Sequence, residues 1–139
     1  MQRKYLLTLG LTAMLGLTAC QTVNTYEPRD QINPPTQLVD KRIVTDSTLN
    51  KKVFVTGIDH AEGSGGHLRV QAQVHNRTKR YRQFSYKFEW FDQDGILIES
   101  PTSGFIASQI EGGETKNLVS VAPTAAAKDF RLKLIENVR

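Results

Sequence analysis

Three observations predict an all-β fold for this chain. Three long stretches alternate apolar and polar residues at period two. Turn-forming residues recur at short intervals between them. No stretch carries the three-to-four-residue spacing of an amphipathic helix of ordinary length. With about six or seven short strands at this spacing, the expected architecture is a two-sheet antiparallel sandwich of immunoglobulin-like type. It would occupy 41–139, after a lipoprotein signal peptide at 1–19 and a lipidated cysteine with a flexible, disordered polar tether at 20–40.

The leader comes first. Arg3 and Lys4 give a short positive start, and an apolar run follows from Tyr5 to Ala19, broken only by Thr and Gly. Its fifteen residues fall short of the roughly 20 that a bilayer-spanning helix needs. A charged start, an apolar stretch and a small-residue end make a secretory signal. The run ends Leu17-Thr18-Ala19-Cys20, which resembles the bacterial lipobox. In that motif the Cys thiol carries a diacylglycerol, and cleavage exposes its amine for a further acyl chain such as palmitate. Cys20 is the only cysteine, so an intramolecular disulfide is excluded; the competing reading is an incidental free thiol. Each buried CH₂ of a lipid chain contributes about 0.8 kcal/mol, so two or three chains anchor durably. Gln21 follows where an Asp commonly retains a lipoprotein in the inner membrane, so the expected location is the outer membrane, facing the periplasm.

Charge adds one exclusion. The formal net charge of +4 includes Arg3 and Lys4, so losing the leader leaves +2. A nearly balanced, exported domain is not expected to bind nucleic acid.

Residues 21–40 hold Pro28, Pro34 and Pro35 with much Gln, Asn and Thr, and show no sustained period. Such a segment reaches about 25 Å r.m.s. if flexible, or about 60 Å as polyproline II. The alternative is that part of it packs on the domain as an edge segment, through Leu38 and Val39.

The strands follow. Leu68, Val70, Ala72 and Val74 alternate with Arg69, Gln71, Gln73 and His75. Phe84, Tyr86, Phe88 and Trp90 alternate with Ser85, Lys87, Glu89 and Phe91, which places four aromatics on one dry face. Phe130, Leu132 and Leu134 alternate with Arg131, Lys133 and Ile135. Shorter candidates lie at 53–58, 96–99 and 116–121. Gly63-Ser64-Gly65-Gly66, Asp94-Gly95 and Glu111-Gly112-Gly113 supply turns, and Asp94-Gly95 between apolar runs marks a hairpin.

These residues resemble the YcfL-like lipoproteins of proteobacteria. The resemblance rests on the lipobox and on Tyr86-x-Phe88-x-Trp90-Phe91-Asp92-x-x-Gly95, preceded by Asn76. It continues in Ile110-Glu111-Gly112-Gly113-Glu114-Thr115, in Ala122-Pro123 and in Asp129-Phe130-Arg131-Leu132-x-Leu134. It implies a small lipoprotein ending in one β-sandwich domain of unknown function, with Trp90 as a core anchor. No activity comes with it. In some genomes such lipoproteins are encoded beside a lipoprotein activator of peptidoglycan synthesis, which points to envelope work.

Candidates for chemistry are few. Asp59, His60 and His67 could place a carboxylate and two imidazoles across a Gly-rich loop, as in a small metal-binding protein or hydrolase. No His-x-His or His-x₃-His pair supports that, and surface histidines are the ordinary explanation. Ser64 lacks the strand–elbow–helix context of a nucleophile. Asp92 and Asp94 read as turn formers. Asn76-Arg77-Thr78 matches a glycosylation sequon, but beside a bacterial lipobox Asn76 reads better as a strand cap. No catalytic residue, metal or cofactor is expected.

The basic residues carry the functional expectation. Arg77, Lys79, Arg80 and Arg82 fall within six residues with Tyr81 among them, at a turn between two long strands. A second set, Arg69, Lys87, Arg131 and Lys133, falls at outward positions of three strands, with Phe91 also pointing out. The expected function is a non-enzymatic binding module for envelope proteins or peptidoglycan, with 77, 79, 80, 81 and 82 as contacts. The alternatives are the metal site above and a passive structural lipoprotein.

Overall fold

The computed structural model describes residues 34–101 and 103–137. Cys20, the leader and most of the tether lie outside the described residues. Among the described residues the chain forms a two-sheet, immunoglobulin-like sandwich of eight strands with one short α-helix and a 3₁₀ turn at Ser64–Gly66. The larger sheet contains β1 (Ile43–Thr45), β8 (Asp129–Glu136), β4 (Arg82–Phe91) and β5 (Leu97–Ile98) in that order. Strand β6 (Ile106–Ile110) pairs with the other half of the same β4 edge. The smaller sheet is β2 (Val53–Glu62), β3 (Leu68–Asn76) and β7 (Thr115–Val121). No helix among the described residues is long and apolar enough to cross a membrane.

Period-two patterning sets the two faces. Val70, Ala72 and Val74 of β3 meet Phe84, Phe88, Trp90, Phe130, Leu132 and Leu134 of the larger sheet in one buried core. Removing these side chains from water is the main force holding the sheets together. Leu49, fully buried in helix α1 (Ser47–Asn50), closes one end. Asp46 caps that helix, accepting from the Thr48 and Leu49 amides at 2.7 and 3.0 Å. The hairpin turn forms as its residues dictate. Asp92 Oδ1 accepts from the Asp94 and Ile96 amides, and Gly95 takes a φ of 79°, open to glycine without strain.

Several expectations change. β1 pairs with β8 in parallel, so the sandwich is not wholly antiparallel. β1 and α1 escaped the sequence reading because each is short, and β6 because only Ile110 of its five residues is buried. Strand β2 runs four residues beyond the predicted 53–58. A bulge between Val55 and Gly57 switches its parity, which breaks a simple period-two pattern. Tyr86 is half-buried and packs against the core from its margin, beside exposed Ile106, while Phe84, Phe88 and Trp90 are buried within it. Burial pushes the Tyr86 phenol pKa up. Before β1, Leu38 packs against the core and donates its amide to the Val55 carbonyl at 2.8 Å. Val39 points away, 94% exposed.

Candidate functional site

The basic segment is a tight, braced loop. It leaves β3 at Asn76, which is fully buried. The Asn76 amide Nδ2 donates to the carbonyls of Arg80 and Glu111 at 2.8 and 2.9 Å, with a longer bond to Ile110 at 3.4 Å. Its Oδ1 accepts from the Thr78 amide at 3.0 Å and the Thr78 hydroxyl at 2.8 Å. One side chain thus ties the 77–82 loop to itself and to the neighbouring β6–β7 turn. A polar side chain buried this deeply needs partners, and Asn76 finds them in these backbone groups and in Thr78.

The β6–β7 turn approaches closely in return. A Cβ on Gly112 would lie 2.4 Å from the Lys79 carbonyl carbon and 2.9 Å from the Arg80 nitrogen. Only glycine lets the two backbones pack there. Gly113 donates its amide to the carbonyls of Asn76 and Thr78, both at 3.0 Å. The Gly112-Gly113 pair, read from sequence as a turn, is therefore also the seat of the basic loop.

The five predicted contact residues divide by role. Arg77 lays its guanidinium 4.2 Å from the Phe54 ring centroid, on the outer face of the smaller sheet. With His75 edge-on to the same ring, it leaves Phe54 only 1% exposed. Arg77 is thus largely a cover for an outward aromatic. Arg82 is half-buried and sends Nε to the Thr78 hydroxyl at 3.4 Å. Tyr81 is exposed, donating its hydroxyl to Gln109 Oε1 and accepting from Gln83 Nε2, both at 2.9 Å. Lys79 and Arg80 are exposed, and their side chains form no ion pair with the described residues. Two idle cations beside a pinned tyrosine are what this loop offers outward.

The second basic set does not share one face. Arg69 lies on β3 in the smaller sheet, whereas Lys87, Arg131 and Lys133 lie on β4 and β8 in the larger one. The last three converge on Glu89. Lys87 Nζ and Lys133 Nζ stand 2.9 and 2.8 Å from Glu89 Oε1, and Arg131 stands 3.7 Å from Oε2. Phe91 does face outward, but it is half-buried because the Arg131 guanidinium sits 5.1 Å from its ring centroid.

These pairs predict acid sensitivity. Burial raises the Glu89 pKa, but bonds from Lys133 and Lys87 outweigh it, and the net position is below the ordinary 4.5. Hydrogen bonds from the Arg42 side chain hold Asp40 down from 3.8 to about 2. A folded-state pKa below the unfolded one stabilises fully above the unfolded value, and that contribution vanishes as pH falls through the folded value. Stability should therefore fall between pH 4.5 and about 2. Urea unfolding across that range should show a shallower slope in the Glu89→Gln, Asp40→Asn double variant than in the parent; equal slopes would refute the assignment.

Asp59, His60 and His67 are not brought together. After the bulge, His60 pairs with Val70 and, though exposed, makes a ring contact with Phe130 at 5.8 Å. Asp59 pairs with Gln71 and faces out. His67 is engaged through Nδ1 with the Ala122 carbonyl at 2.9 Å. Among the described residues no group of three or more His, Cys, Asp or Glu could hold a metal ion.

No curated protein matches the chain. The crystal structure of Cj0090 from Campylobacter jejuni superposes with a TM-score of 0.61 at 24% identity, covering 70% of this chain and all of that one. That of a DUF1425 family member from Shewanella sp. PV-4 superposes at 0.57 with 21% identity, covering 63% of this chain and 80% of the other. At these identities the likeness is one of fold. The family model described as "Protein of unknown function (DUF1425)" matches residues 40–136, most of the chain, and the protein belongs to that family.

Proposed function

We propose that this protein is a YcfL-like outer-membrane lipoprotein, anchored through acylated Cys20, whose periplasmic sandwich is a non-enzymatic binding module. Its partner is an acidic envelope protein or the carboxylates of peptidoglycan stems. The supporting observation is the braced loop that presents Lys79 and Arg80 unpaired beside Tyr81. Keeping two cations idle is useful only for solubility or for an anion outside the chain. Holding their backbone rigid through Asn76 and Gly112 favours the second role, because a preformed site loses less entropy on binding. Charge of this kind raises association rates and sets partner choice more than it adds raw affinity.

The test is crosslinking in intact cells, with partners identified by mass spectrometry, in parent and in Lys79→Glu, Arg80→Glu protein. These two positions suit charge reversal because neither side chain serves the fold, unlike Arg77 and Arg82. A discrete partner should fall about tenfold or more in the variant, as expected for losing charge-assisted contacts. A partner recovered equally from both would move the site elsewhere, and no specific partner in either would leave a passive envelope lipoprotein.

A further inference from the structure

The opposite end of the domain holds a separate charged cavity. Strand β4 runs from Arg82, at the basic loop, to Phe91, about 30 Å at the rise of an antiparallel strand. At that far end a cavity of about 330 Å³ opens between the β4–β5 turn, the start of β8 and the segment entering β1. Lys41, Arg42 and Arg131 line it with Asp129, against the rings of Phe91 and Phe130. Its volume is within the usual range for small-ligand sites.

The three cations are positioned but not fully used. Arg42 lies 4.7 Å from the Phe130 centroid and spends Nε and Nη2 on Asp40, at 3.1 and 2.7 Å to the nearer oxygens. Its Nη1 forms no such bond with the described residues. Arg131 is stacked on Phe91, and its nearest carboxylate oxygen, on Glu89, is 3.7 Å away, beyond hydrogen-bond reach. Its side chain is 45% exposed. Lys41 is exposed and makes no ion pair with the described residues. Among the described residues Asp129 is the only acid in the lining, and its Oδ1 accepts from the Phe130 amide at 2.8 Å. With Arg42 balanced by Asp40, the cavity keeps two cations against one carboxylate.

We infer that this cavity binds a carboxylate on a short apolar stem. Arg131 and Lys41 are the direct donors, Arg42 is a fixed wall, and the ring of Phe91 receives the stem. A planar guanidinium that reaches its nearest carboxylate only at 3.7 Å keeps its donors for the two oxygens of an incoming carboxylate. One surplus positive charge and aromatic walls suit such a monoanion better than a phosphate dianion. The assignment uses no residue of the basic loop and stands or falls independently of it.

Isothermal titration of the full chain at constant ionic strength tests it, with N-acetylalanine, its neutral amide and inorganic phosphate as probes. N-acetylalanine should bind saturably and the amide should not. Arg131→Gln and Lys41→Gln should each weaken binding about tenfold or more, while Lys51→Gln, an exposed lysine on α1's C-terminal side, should match the parent. Thermal unfolding of each variant separates lost binding from lost fold, and Lys41, being exposed, can change without disturbing packing. Absent saturation in the parent overturns the inference. So does equal binding by both variants when folded, or binding of phosphate without N-acetylalanine.

Discussion

Asn76→Ala should destabilise the domain by about 3–5 kcal/mol, because it strips several buried hydrogen bonds at once. The carbonyls of Arg80 and Glu111 lose the Asn76 donor and keep only the Thr78 hydroxyl and the Glu114 amide, and the Thr78 amide loses its acceptor. Asn76 itself is fully buried, so the shorter side chain also leaves a small void. Asn76→Asp is the sharper test. It keeps an acceptor for Thr78 but sets a carboxylate against two backbone carbonyls, so it should be about as damaging as Ala. Urea unfolding of the full chain measures both. An Asp variant as stable as the parent would show that the amide donors do not hold this loop. The functional consequence belongs to the same experiment: a loop freed from Asn76 keeps Lys79 and Arg80 but loses their fixed placement.

Phe130→Ala should cost about 3–5 kcal/mol by leaving a cavity where the sheets meet. Phe130 is 2% exposed, and its ring contacts Trp90 and Phe88, both at 6.4 Å between centroids. It also supports Arg42 and His60. Trp90 is the only tryptophan and is 4% exposed, so its emission should shift to longer wavelength as water reaches it. Phe91→Ala is the control one residue from Trp90 and should cost no more than about 1 kcal/mol, since that ring is half-buried under Arg131. Equal losses from the two would mean that the core does not centre on Phe130.

The long strands were legible because their pattern is local. Leu68 to Val74, Phe84 to Trp90 and Phe130 to Leu134 declare a buried face by alternation alone, whatever they pair with. The turn glycines and Asp92 are readable for the same reason, since turn chemistry is decided within four residues. β1, with three residues, was not: it is too short to show a period and exists only because β8 offers it a ladder. β5 was readable at 96–99, although only Leu97–Ile98 pairs with β4.

The candidate site divides along the same line. Composition alone determined that 77–82 is basic and sits between two strands. Tertiary structure decided which of those cations are free. Arg77 is occupied because Phe54, distant in sequence, emerges on the outer face beside it. Glu89 gathers Lys87, Arg131 and Lys133 because β4 and β8 are register partners, while Arg69 is left on the other sheet. Gly112 looks like an ordinary turn residue until the β6–β7 turn meets the backbone of Lys79. Alternation tells which side of a strand a residue faces, but not which strand lies alongside. Pairing is chosen by the packing of the whole core, and the charges on the outer faces take whatever neighbours that choice gives them.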